Sequence, residues 1–137
     1  MGDYKVECKM VERYQTVVGD RRGHMVVCDL PPEKGGYDQA TSAVELAAMA
    51  LADCIVTIYL VKAMGAKVKI EKCEMKGTAS MPEGAPTITA FKGQMTVVSP
   101  AEKDVLDGLL EETLKVCPVG LIFKQAGVSV EVKLRKK

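Results

Sequence analysis

The sequence predicts an α+β domain with an antiparallel sheet and a long central core helix, with elements in the order β-β-α-β-β-α-α-β. Three observations carry that expectation. Both ends of the chain alternate polar and apolar residues with the period of two that a half-buried strand needs. An uninterrupted apolar run follows a helix-start signature in the first half, and a proline divides a second helical stretch in the last third. Strands at both ends around helices give an antiparallel sheet rather than repeated strand–helix–strand units.

The elements follow in order. Val6, Cys8 and Met10 alternate with Lys5, Glu7 and Lys9, and the strand-like HMVVCDL comes after the turn-prone GDRRG. The segment LPPEKGGYDQA holds two prolines and two glycines and reads as a loop of the kind that lines sites. Ser42 and Glu45 form an S-x-x-E capping box, so a helix starts at Ser42, runs to Met64 and takes Gly65 as its C-terminal cap. Its apolar residues occupy every side, the pattern of a helix buried on most sides. KVKIEKCEMKGTAS and TITAFKGQMTVVS form a hairpin around MPEGAP. Ser99, Pro100 and Glu102 repeat the helix-start grammar, and Val105, Leu109, Leu110 and Leu114 face a core. Cys117-Pro118 interrupts this helix, PVGLIFKQA restarts one that ends at Gly127, and VSVEVKLRK closes the chain as a strand. There is no internal repeat, so residues 1–137 are expected to form a single domain.

Composition narrows the partners. The net charge is +1 and the chain has two Phe and no Trp, which favours neither a nucleic-acid partner nor a base-stacking platform. The N-terminus is charged and lacks the apolar core of a signal peptide. The long apolar run is shorter than a membrane span needs and carries Asp53 near its centre, so a soluble cytoplasmic protein with no membrane partner is expected. The five cysteines, at 8, 28, 54, 73 and 117, are widely spaced, with no C-x-x-C and one histidine, His24. Neither a metal site nor a disulfide-stapled scaffold fits, and no cofactor is expected. In a reducing compartment any disulfide would be transient and functional.

Two thiols stand apart. Pro118 suits a first helical position, which puts Cys117 at an N-cap, where free N–H groups and the helix dipole favour a thiolate. Its alternative is plain packing at a helix–helix corner. Cys54 lies mid-helix, where burial disfavours the thiolate, and the adjacent Asp53 adds to this if both point the same way. A positive group from elsewhere would have to offset that; Arg13, Arg21, Arg22 and Lys34 are upstream candidates, with His24 a weaker one. Glu45 precedes Cys54 by nine residues, which puts the two on opposite faces of the helix at about 100° per residue. It therefore reaches the sulfur only through a folded-over partner or a second subunit, and otherwise serves the capping box. Cys8, Cys28 and Cys73 fall in strand patterns as core or half-buried thiols.

DLPPEKGGYD (Asp29 to Asp38), then ELAAMALADC (Glu45 to Cys54), then CPV (Cys117 to Val119) resemble the OsmC/Ohr superfamily over nearly the whole chain, in order and with similar spacing. The resemblance implies an α+β fold of intertwined homodimers, with central helices wrapped by strands of both chains. It also implies a thiol peroxidase that reduces organic hydroperoxides. Mapped by motif, Cys54 attacks the peroxide and becomes a sulfenic acid, Cys117 condenses with it as the resolving thiol, and an external dithiol reduces the disulfide. In the family's peroxidases an arginine held by the helix glutamate, here Glu45, stabilises the attacking thiolate. One branch carries it in an early glycine-rich turn, which points here to Arg21 or Arg22. Another carries it about ten residues before the glutamate, where this chain has KGG and Lys34. Val44 replaces the motif's proline, and the D-x-P…G-G-x-D signature is that of a third branch. Two other readings stand beside the peroxidase: a different thiol or sulfur chemistry in the same pocket, or a non-catalytic dimer binding a small apolar ligand with Met49, Met64, Met75, Met81 and Met95.

Overall fold

In the computed structural model, which describes residues 2–137, the long helix starts at its expected signature. Helix α1 spans Ala43–Gly65. Ser42 Oγ accepts the Glu45 N–H at 3.2 Å, while Glu45 Oε1 accepts the Ser42 N–H at 3.1 Å and its hydroxyl at 2.8 Å. Both halves of the capping box are therefore made. With 23 residues the helix is, by length and composition alone, long and apolar enough to cross a membrane, which corrects the expectation that the run is too short. Burial along it is also narrower than its composition implies. Leu51, Ile55, Tyr59 and Ala63, four residues apart, form one buried stripe, while Val61 and Met64 are exposed.

The chain divides into two compact units, one ending at Leu46 and the other running Ala47–Lys137. The first contains strands β1 (Glu7–Glu12), β2 (Gln15–Gly19) and β3 (Met25–Cys28) in one antiparallel sheet. Three strands thus precede α1 where two were expected, giving the order β-β-β-α-β-β-α-α-β. The additional hairpin turns at Arg13, whose φ of 53° is left-handed without a glycine. Apolar side chains on this sheet, Met10, Val11, Met25 and Val27 among them, are exposed within the chain.

The second unit packs α1 against strands β4 (Lys72–Ser80), β5 (Ala90–Val98) and β6 (Ser129–Lys136) and helices α2 (Lys103–Val116) and α3 (Pro118–Gln125). The β4–β5 hairpin is antiparallel, but β6 lies parallel to β5, so this sheet is mixed. The α2–α3 segment is the crossover that a parallel pair requires. Phe91, Met95 and Val97 of β5 meet Leu51, Ile55 and Tyr59 of α1 and Leu106 and Leu110 of α2 in the core. The Phe91 ring lies over two glycines that face each other across the hairpin, Gly77 and Gly93. A Cβ at Gly77 would sit 2.6 Å from that ring, so only glycine leaves it room.

Helix α2 begins three residues later than the sequence signature implies. Ser99 does not cap it: its hydroxyl donates to the Lys69 carbonyl at 2.6 Å and accepts the Ala101 N–H at 3.1 Å. Glu102 occupies the N-cap position without a side-chain cap bond. The hydroxyl is drawn to a carbonyl of the segment between α1 and β4, and the helix begins after that turn.

Candidate active site

Two sulfurs meet where α1, α2 and α3 converge. Pro118 disfavours a helical conformation in the residue before it, and Cys117 accordingly adopts φ −63° and ψ 113°. One residue then serves two helices. The Cys117 N–H donates to the Thr113 carbonyl at 2.9 Å and closes α2, while its Sγ accepts the Gly120 N–H at 3.4 Å and opens α3. The first turn of α3 packs near Leu51, one helical turn before Cys54 on α1. This places the Cys117 Sγ 3.1 Å from the Cys54 Sγ, with the Cys117 thiol as donor. Both are free thiols, Cys117 buried and Cys54 half-buried.

At Cys117 the electrostatics run against what the helix terminus implied. Burial pushes the Cys117 thiol up to about 11, and its hydrogen bond to Cys54 adds to this, whereas the Gly120 amide opposes it. The N-cap position is as expected, but desolvation of a fully buried sulfur outweighs one long N–H bond and the dipole. Cys117 therefore keeps its proton and donates it to the Cys54 sulfur. Cys54 is the thiol with access to solvent and with a donor aimed at it. Asp53, one residue before, is exposed, and at about 100° per residue it leaves the helix on a different side.

The other residues singled out in the sequence have local partners. Glu45 is held by Ser42, whose hydroxyl and amide lower its pKa below the usual carboxylate range. Arg22 pairs with Asp20 at 3.1 Å within the GDRRG turn, and Arg21 adopts φ 60° beside it. His24 also binds Asp20, at 2.6 Å, and this bond, followed by the Arg22 amide, lowers the Asp20 pKa to about 2. Arg13 makes several contacts within the first unit. It donates through Nε to the Gly35 carbonyl, and its guanidinium carbon lies 5.9 Å from the Tyr14 ring centre and 5.5 Å from that of Tyr37. Of the methionines proposed for an apolar pocket, Met75 and Met95 face each other across β4 and β5, while Met49, Met64 and Met81 are exposed.

One residue's role was not foreseen. Asp29 is buried, and its carboxylate accepts from the Leu30 N–H at 2.7 Å, the Tyr37 and Gln39 N–H groups at 3.2 Å, and Gln15 Nε2 at 3.4 Å. Desolvation raises its pKa, but the Leu30, Gln39, Gln15 and Tyr37 bonds together lower it below the ordinary value. The signal was present in DLPPEKGGYD: an acid ahead of a loop rich in proline and glycine supplies the acceptor for amides that no regular element satisfies.

The model of the OsmC-like protein family matches residues 36–133, a span that includes Glu45, Cys54 and Cys117. This chain belongs to the OsmC-like protein family. No curated protein sequence matches it significantly. Among solved structures, an OsmC-like protein from Mycoplasma pneumoniae superposes with a TM-score of 0.86 at 14% identity, covering 98% of this chain and 97% of the other. An organic hydroperoxide resistance protein OsmC from Legionella pneumophila gives 0.75 at 19% identity, covering 98% of each chain. An organic hydroperoxide resistance protein from Vibrio cholerae, bound to captopril, gives 0.70 at 20% identity, over 99% of this chain and 93% of the other. At these identities the likeness is one of fold: this OsmC-like protein shares their mixed α+β architecture of two small sheets and three helices.

Proposed function

We propose that this OsmC-like protein is a thiol peroxidase that reduces organic hydroperoxides through Cys54 and Cys117. The observation that carries the reading is the 3.1 Å approach of the two sulfurs, with the proton held on Cys117. In the first step the Cys54 thiolate attacks the terminal peroxide oxygen. The O–O bond breaks, an alcohol leaves after taking a proton, and Cys54 becomes a sulfenic acid. In the second step the Cys117 sulfur attacks the Cys54 sulfur, its own proton leaves with the hydroxyl as water, and a disulfide forms. An external dithiol then reduces the disulfide by exchange, the attacking thiolate and leaving thiol setting the rate. A buried, neutral resolving thiol suits this sequence because it does not compete for the peroxide and brings the proton that the departing hydroxyl needs.

The remaining roles belong to the same proposal. Glu45 positions an arginine, Arg21 or Arg22, beside the Cys54 thiolate. The protein acts in the cytoplasm as an intertwined homodimer, its two units forming one domain covered by a partner copy. The apolar side chains left exposed on α1 and on the first sheet support that assembly, since a patch of this kind marks an interface.

Intact mass and free-thiol count before and after one equivalent of cumene hydroperoxide test the reading, on the parent protein and on Cys117→Ser. The parent should lose two hydrogens and two titratable thiols, whereas the variant should gain one oxygen on Cys54. An unchanged mass in both excludes the peroxidase.

A further inference from the structure

The outer face of the β4–β5–β6 sheet carries a cluster of charge that the thiol chemistry does not use. Strand alternation sends Met75, Phe91 and Met95 inward and the polar residues of the same strands outward. The register places Lys76, Gln94 and Lys133 in one row across the three strands. The row on one side is Thr78, Lys92 and Glu131, and the row on the other is Glu74, Thr96 and Arg135. Gln94 is thus ringed by four cations: Lys76 and Lys133 beside it, Lys92 two residues back on its own strand, and Arg135 on the diagonal. Side chains directly opposite on a sheet lie about 5 Å apart and diagonal ones about 7–8 Å, within reach of long side chains.

The described ion pairs, which join Arg22 and His24 to Asp20, Lys69 to Glu71 and Lys103 to Asp107, include none of these four, although Glu131 stands opposite Lys92. The nine positions carry four cations and two carboxylates, an excess of positive charge. The surface is also hollowed here. A concavity of about 500 Å³ lies over Lys76, Lys92, Gln94 and Lys133, with the facing Gly77 and Gly93 in its lining. A second, of about 230 Å³, adjoins it over Lys76, Gln94, Thr96 and Arg135.

We propose that this face binds a compact polyphosphate anion over Gln94, with Lys76, Lys92, Lys133 and Arg135 as its counter-charges. Lysines supply point charges for phosphate oxygens, and the arginine supplies a fork for two of them. Glu74 and Glu131 stand at opposite corners of the nine-residue patch and would repel an extended acidic surface laid across it. No aromatic side chain lies in these three outward rows to stack a base, so a nucleic-acid strand lacks its usual platform.

Calorimetric titration of the whole protein with inorganic tripolyphosphate tests the site, first at about 0.01 M ionic strength, where the screening length is about 30 Å. Two double variants are compared. Lys92→Gln/Lys133→Gln removes two cations from the sheet, and Lys103→Gln/Lys115→Gln removes two from α2, with the same change in net charge. The sheet variant is expected to bind about tenfold more weakly, from the loss of two exposed charge contacts, and the helix variant is expected to bind as the parent does. Amide chemical shifts on titration should move in β4, β5 and β6 around Gln94. Equal weakening in both variants, shifts centred elsewhere or no binding by the parent would each overturn the proposal. So would tighter binding of an oligothymidylate or of polyglutamate than of tripolyphosphate, which would assign the face to a strand of nucleic acid or to an acidic protein.

Discussion

Oxidation of the Cys54–Cys117 pair should stabilise the protein by an amount that follows from the chain length between them. The two sulfurs are 63 residues apart in sequence. In the chain-entropy description, closing a loop of that size removes about 14 cal/mol/K from the unfolded ensemble, or about 4 kcal/mol at room temperature. Two costs act against it. The sulfurs must move about 1 Å closer to reach bonding distance, and Cys117 gives up its bond from the Gly120 amide, worth about 1 kcal/mol. A net gain of about 3 kcal/mol remains, which for a domain of this size raises the unfolding midpoint by about 10–15 °C. The assay is thermal unfolding of the reduced and the hydroperoxide-treated protein at matched protomer concentration, with Cys117→Ser treated identically as the control. The parent should shift upward and the control should not. If mass spectrometry finds the disulfide formed and the two midpoints coincide, the sulfurs are not poised as argued, and closing the bond distorts the fold by as much as it restrains the unfolded chain.

Other expectations are narrower. Cys117 and Tyr59 are raised by burial, to about 11 from 9.0 and to about 12 from 10.0. Each folded group holds its proton more tightly than the unfolded one, so their contribution to stability is complete below about pH 9 and is lost as pH rises through these values. Denaturant midpoints should fall across that alkaline range, and Cys117→Ser should remove the lower part of the fall. Asp29→Asn leaves backbone amides facing an NH₂ group and should cost about 2–3 kcal/mol by denaturant unfolding, from loss of charge-assisted bonds. The Asp29 contribution is present above the ordinary carboxylate pKa and is lost as pH falls through its lowered value. Gly77→Ala drives a methyl into the Phe91 ring and should cost about 1–3 kcal/mol. Adding Phe91→Leu should recover part of that loss, because the two positions touch.

What was legible in the sequence was local. The capping box, the proline that opens α3, the N-cap position of Cys117 and the left-handed Gly127 after α3 (φ 85°) are each written within a few residues. What was not legible depends on partners distant in sequence. Strand β2 escaped notice because its hairpin turns at Arg13 and Tyr14 with no glycine or proline to mark it. Alternation marked β6 as a strand, but period two carries no direction, so the parallel pairing with β5 was hidden. Ser99 had the residue type of a cap, and only the folded chain brings the Lys69 carbonyl to claim it. At the site, the helix terminus was visible and the burial that overrules it was not. The approach of Cys54 to Cys117 followed from resemblance to a family and not from any spacing in the chain.

The parallel pairing of β6 has a consequence for the timing of synthesis. Cys117 lies on the crossover between β5 and β6, so both ends of that segment are anchored only when the last strand has joined the sheet. Cys54 is made long before, on a helix that can form as it emerges. A ribosome-bound chain ending before Val128 already holds both sulfurs but not the strand that seats the second one. Such a chain should present Cys54 as an open thiol and should not form the intramolecular bond efficiently. Resolving ability therefore arrives with the C-terminal strand, and a protein truncated there should accumulate the sulfenic acid or be trapped by an outside thiol.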